Sequence, residues 1–283
     1  MLRFFCKNKK FFPYTKINIF LLYLRTMKNI NRNICALLVA LCLLLFSQQT
    51  YCQGITEECI NIPIVNVSYS FQVPFGDQTE WFGVNSTIGG GFSYKTSKNL
   101  LFGIDWGFIF GGNVKNEEQL FKYLTASSGY IINNSGQEAI VTLYERGNSL
   151  LLRAGKLFPM QSLNPNSGLY FTGGLGFISN KIRIDVFEND VNALNDDYKK
   201  GYDRLSVGPS IGGQFGFMFF GDNNLWNFHA AFEAVYGLTK NIRPYNFDTM
   251  SKDNSLKNEF YIGLKVGWLL PIYPKKPKDY YFY

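Results

Sequence analysis

Histidine occurs once in these 283 residues, at His229. Cysteine occurs five times, but Cys6, Cys35, Cys42 and Cys52 all precede residue 53, which leaves Cys59 alone in the remainder. A single thiol forms no internal disulfide and no thiolate metal site. Long apolar runs are missing too. The longest, Ile34–Phe46, has 13 residues, and a spanning helix needs about 20. The basic balance is also an artefact of the first residues. Of the 28 Lys and Arg, eight lie in residues 1–52, where none of the 21 acidic residues falls, so residues 53–283 carry 20 basic against 21 acidic. The formal +7 therefore does not argue for a nucleic-acid partner, and none is expected.

The early residues form an export leader. Lys28 and Arg32 supply a charged start after Met27, Ile34–Phe46 supplies the apolar stretch, and Thr50 and Cys52 suit the small positions before a cleavage site. This pattern predicts a signal peptide over residues 27–52, removed to leave Gln53 as the new N-terminus. Residues 1–26 read as an extension upstream of that start.

What the chain does have is a period of two. Val65, Val67, Tyr69, Phe71 and Val73 interleave with Asn66, Ser68, Ser70 and Gln72. Side chains of a β-strand alternate between faces, so one face is greasy and the other polar. Eight such segments follow, at about 62–74, 82–94, 100–111, 139–158, 169–182, 205–220, 226–239 and 258–272. Seventeen per cent aromatic residues is high for a soluble domain and suits aromatic belts at two membrane interfaces. The expected fold is all-β: a closed, antiparallel, eight-stranded transmembrane β-barrel over residues 53–273, with a basic and aromatic tail at 274–283.

Connections alternate in length. Residues 95–99, 159–168 and 221–225 read as periplasmic turns, and 75–81, 112–138, 183–204 and 240–257 as outer loops, the usual asymmetry of such barrels. Within the second loop, 116–124 suggests a short helix capped by Asn116. Glycines fall on the inward parity (Gly89, Gly91, Gly103, Gly107, Gly174, Gly176, Gly208, Gly212, Gly216, Gly263 and Gly267), as a cramped interior filled by side chains requires. The strand count, the export signal and the filled lumen together resemble the small OmpA- and OmpX-like outer-membrane barrels. The last strand is similar to the signal read by the barrel-assembly machinery, either at Tyr261, Gly263, Val266 and Trp268 or at Lys265, Gly267, Leu270 and Ile272. The resemblance implies outer-membrane lipid as the surroundings and that machinery as a partner in biogenesis. It departs at the end, where the chain runs on past the strand.

Catalytic chemistry has little to work with. His229 is on the inward parity near the periplasmic end, away from a surface substrate, and a general base must reach the proton it takes. It reads as a buried, hydrogen-bonded structural residue. The acidic segment Asp185–Asp197 lacks the glycine and terminal glutamate of a calcium loop and reads as solvated surface. No enzyme activity, cofactor or metal is expected. Asp248-Thr249-Met250 is similar to a short bacterial O-glycosylation acceptor, with Thr249 as the residue modified. Four inward charges remain: Asp105, Arg153, Glu233 and Lys265. They share one depth and cancel, as a water-poor interior requires, with Asp105–Arg153 and Glu233–Lys265 as adjacent-strand pairs.

The function these features support is a structural or surface-interaction barrel with a plugged lumen, whose outer loops or C-terminal tail meet a protein partner. Two alternatives stand beside it: a narrow pore or small-ligand transporter, and a non-enzymatic subunit of an envelope secretion or motility assembly.

Overall fold

A computed structural model describes residues 59–272, apart from 127–128, 161–163, 188–190 and 222–225. The leader, the cleavage site at Gln53 and the tail at 274–283 lie outside the described residues. Eight strands follow in order: β1 (Ile62–Gly76), β2 (Asn85–Lys95), β3 (Leu100–Gly111), β4 (Val141–Met160), β5 (Asn164–Val186), β6 (Ser206–Phe220), β7 (Asn227–Asn241) and β8 (Leu256–Pro271). Each pairs antiparallel with its sequence neighbour, and β8 pairs with β1 to close the barrel. Closure leaves no sheet edge within the ring, the condition for strands to cross lipid. All eight reach the roughly 9–11 residues a spanning strand needs, β2 being the shortest at 11.

The registers carry one parity around the ring. Even positions of β1 face inward, and the pairings Ser68↔Gly89, Gly91↔Asp105, Gly103↔Arg153 and Arg153↔Gly174 pass that side on from strand to strand. The other face is apolar and bare: Val67, Phe102, Leu152, Leu175 and Phe232 are each half exposed or more, Leu175 at 66%. In water such a surface would aggregate. On a closed barrel it is the face that meets hydrocarbon, so the molecule is a transmembrane β-barrel.

Several boundaries differ from the sequence expectation. The expected ten-residue turn at 159–168 is mostly strand, because β4 continues to Met160 and β5 begins at Asn164. At the opposite end β5 runs on to Val186, into the expected loop 183–204, so the β4–β5 ribbon stands above its neighbours. The expected helix at 116–124 is one turn, Glu117–Leu120; Asn116 sits in the left-handed region without capping it and donates its side-chain amide to the Glu80 carbonyl instead. β2 begins at Asn85, since Asp77–Glu80 wind into a short 3-10 turn and Phe82 bridges to Val114.

The outer connections do not splay from the barrel as separate loops. They share a core: Trp81 and Phe82 from the first, Leu120, Phe121 and Ile131 from the second, Val191, Leu194 and Tyr202 from the third, packed on the outer ends of β4 and β5 through Leu143, Ile182, Ile184 and Val186. Phe247 of the fourth packs against this cluster, its ring 5.2 Å from that of Tyr202. Polar ties join the same segments. Arg204 pairs with Asp248 and lies 3.9 Å over the Trp81 ring, and Arg243 pairs with Asp203. The barrel carries a folded cap.

Candidate functional site

The interior of the barrel is built in storeys. At the end where the strands meet short turns, Ile62, Ile64, Leu101, Leu157, Tyr170, Met218, Phe220 and Leu269 form an apolar floor. Each is on the inward parity of its strand, so alternation alone delivers them to the same space.

Above the floor lie the four inward charges, one each from β3, β4, β7 and β8, all placed together. Arg153 Nε is 2.8 Å from Asp105 Oδ2, and Arg153 Nη2 donates to Glu233 Oε1 at 2.6 Å. Lys265 Nζ reaches Asp105 Oδ2 at 3.3 Å and Glu233 Oε1 at 3.5 Å. Both expected adjacent-strand pairs, Asp105–Arg153 and Glu233–Lys265, are present, and the narrow lumen joins them into a ring of four contacts in which each cation touches both acids. Gln214 donates to Glu233 at 2.7 Å, and Ser70, Gln72 and Asn66 add longer bonds to the carboxylates. Two positive and two negative groups cancel, and amides and a hydroxyl add hydrogen bonds to the acids, which lowers the cost of burying the charge. Arg153 Nη1 has no hydrogen-bond partner among the described residues.

Glycine makes room for this ring at Gly91: a Cβ there would sit 2.3 Å from Asp105 Oδ1 and 2.4 Å from the Ile104 carbonyl. His229 lies on the floor side of the ring. Its Nδ1 shares a hydrogen bond with the Tyr170 hydroxyl at 2.9 Å, and the residue is buried. Two small cavities flank the charges, of about 40 Å³ on the floor side and about 20 Å³ on the cap side; Asp105 and Arg153 line both. Those volumes hold a few waters and one water respectively.

Sequence reasoning passed over the next storey. Ile109, Leu151, Ile178, Val235 and Tyr261 form a second apolar layer. Beyond it lie two more buried carboxylates, Glu145 and Glu259. Asn85 donates to Glu145 at 3.0 Å, while Thr239 and Asn180 donate to Glu259 at 2.6 and 2.8 Å. Both glutamates sit on inward parity, so the same alternation that singles out Asp105 would have found them. Lys95, fully buried at the end of β2, donates to Asn166 at 2.8 Å and was missed because the expected strand stopped one residue short.

The other singled-out residues are dispersed. Thr249 is exposed on a turn of the cap, but the carboxylate before it, Asp248, is buried against Arg204. Cys59 is partly buried, with Sγ 3.5 Å from the Pro165 carbonyl. Among the described residues, no group of three or more His, Cys, Asp or Glu side chains has the arrangement of a metal site.

No family model matches this chain, and no curated protein matches it. Solved structures similar to it include Neisserial surface protein A, at 16% identity and a TM-score of 0.38, covering 74% of this chain and 96% of that one. The attachment invasion locus protein Ail of Yersinia pestis, in complex with the heparin analogue sucrose octasulfate, is similar at 10% identity and a TM-score of 0.39, over 74% of this chain and 99% of that one. The outer membrane protein OprG from Pseudomonas aeruginosa is similar at 12% identity and a TM-score of 0.32, over 76% and 98%.

Proposed function

We propose that this chain is a non-enzymatic outer-membrane barrel of a Gram-negative envelope, exported on a cleaved signal peptide, plugged by its own side chains and acting through its outer cap. The observation that carries this reading is the division of labour in the structure. An apolar exterior and inward side chains layered from floor to cap support a plugged lumen and point to the cap as the face available for recognition. Exposed tyrosines on the cap support a binding role: Tyr123, Tyr130, Tyr198 and Tyr245 all face solvent, with Lys122 held 4.6 Å over the Tyr123 ring. Tyrosine is enriched at protein interfaces because one side chain offers apolar area and a hydroxyl. Loops on a rigid scaffold are where binding sits.

The plug supports interaction over transport. The ion ring separates two cavities that hold only a few waters, and apolar layers lie on both sides of it. His229 supports a structural role in the same way, since its Nδ1 is engaged by Tyr170 in the floor and Gly267 packs against it so tightly that a Cβ there would sit 2.3 Å from Nε2. Purified protein in planar bilayers is expected to show little or no steady conductance. Large, stable, ohmic openings from the wild-type chain would favour the pore instead. For the cap, the expected result is capture of a protein partner from detergent-solubilised envelopes that is lost on trypsin trimming of the outer connections.

A further inference from the structure

On the lipid-facing parity of the eight strands, the charged side chains are Arg146, Lys156, Lys181, Arg183, Asp185 and Lys240. Five of the six are cations, and three of those gather at the cap end of a single ribbon, β4–β5. Arg146 stands directly opposite Lys181 in the register, and Arg183 opposite Tyr144. Like charges facing each other across a strand pair destabilise it unless something neutralises them. Arg183 has an exposed partner in Asp185 at 3.0 Å. Among the described residues, Arg146 and Lys181 have no carboxylate in ion-pair reach. Arg146 lies 5.1 Å over the Tyr144 ring and gives one N–H to the Glu145 carbonyl at 2.8 Å, which keeps the guanidinium beside the ribbon.

The position of these cations decides what they meet. Moving along the ribbon toward the cap, the outward pairs are Leu152–Leu175, then Leu150–Phe177, then Asn148–Ser179, then Arg146–Lys181. Hydrocarbon-facing residues give way to small polar ones and then to positive charge, in the order in which a bilayer gives way from acyl chains to ester and sugar and then to phosphate. At the other end of β4 the outward Lys156 extends over Phe158, 5.8 Å from its ring, as a lysine reaching the opposite headgroup layer does. A soluble partner would have no reason to need an acyl-facing surface continuous with its charge.

We propose that Arg146, Lys181 and Arg183 form a lateral site for the phosphates of an anionic glycolipid in the outer leaflet, with its acyl chains lying along Leu150, Phe177 and Leu175. This rests on the outer-membrane reading above. Arginine recognises phosphate through paired N–H donors, and lysine adds a point charge. The exposed Arg183–Asp185 pair is weak enough for a phosphate to compete with it.

The test uses the full chain in phosphocholine nanodiscs doped with bis-phosphorylated lipid A or with the same lipid stripped of phosphate, and native mass spectrometry of the lipid retained. Wild type is expected to prefer the phosphorylated lipid by on the order of tenfold or more, since each cation near an anionic surface adds to the attraction. The R146Q/K181Q/R183Q variant is expected to lose that preference, and K181R to keep it. Equal retention of the two lipids by wild type, or an unchanged preference in the triple variant, overturns the site. Displacement by millimolar inorganic phosphate would mark a free-anion site and overturn the lipid assignment. Failure of the wild-type chain to insert as a heat-modifiable barrel in any bilayer would instead sink the membrane reading on which the proposal stands.

Discussion

Arg153 carries more of the lumen than any other single residue, because it alone contacts both acids at 2.8 Å or less. Removing it leaves Asp105 and Glu233 with Lys265 as their only cation, and breaking a buried pair in this way typically costs about 3–5 kcal/mol. Arg153→Ala should lower the urea midpoint of the barrel in lipid vesicles by a corresponding amount. Asp105→Asn with Arg153→Met should be much milder, because Glu233 and Lys265 still cancel; a wild-type midpoint for Arg153→Ala would show that the ring does not stabilise the fold. A second residue-scale expectation concerns Asp253 in the last outer connection. Partial burial opposes its charge, but hydrogen bonds from Ser255 and Lys257, the latter at 3.0 Å, outweigh this and hold the carboxyl down at about 2. A carboxylate lowered on folding stabilises the folded connection above its unfolded value of about 3.9, and that contribution is lost as pH falls toward 2. Carbon-13 NMR of the Asp253 carboxyl should give a midpoint near 2, and one near 4 would mean that the clasp to Lys257 is open.

Among the elements, the cap is the part whose behaviour separates from the barrel. Its core draws on four connections and on the raised ends of β4 and β5, while the ring of strands closes below it. Leu120 and Phe121 are almost wholly buried there, and truncating such side chains typically costs 2–5 kcal/mol. Phe121→Ala should therefore expose residues 112–140 to limited proteolysis while the barrel keeps its heat-modifiable mobility on gels. Joint loss of both would show that cap and barrel fold as one unit. The same close packing is visible at Gly201, where a Cβ would sit 2.2 Å from the Phe247 ring. Gly201→Ala should loosen the contact between the third and fourth connections and increase cleavage in 242–255.

At the scale of the whole molecule, closure and alternation produce two unlike surfaces from one ribbon: hydrocarbon-facing residues outside, and inside a stack of apolar floor, ion ring, apolar layer and buried glutamates. The closed ladder resists detergent, so unboiled and boiled samples should run at different positions on SDS gels, and identical mobility would count against closure. If the leader is processed as the pattern of residues 27–52 predicts, intact mass and N-terminal sequencing of the envelope protein should begin at Gln53. Retention of residues 1–26 would overturn that reading of the leader.

The face on which a residue lies was largely legible in the sequence, because strand alternation is local: it placed Asp105, Glu233, Lys265 and His229 inside without any knowledge of their neighbours. By contrast, β4 is the least regular segment, and the face of Arg153 is set by its register with β3 and β5. The order of strands and the membrane setting followed from eight such segments and their connection lengths. Contacts across the lumen were not legible. Whether Arg153 meets one acid or two depends on the relative stagger of strands far apart in sequence, which no local pattern encodes. The cap was hidden for a related reason. Trp81, Leu120, Phe121, Leu194, Tyr202 and Phe247 are scattered through four connections with no period between them, so nothing in the sequence marks them as one core. Only when the closed barrel brings those connections over the same opening do their apolar side chains have each other to bury against.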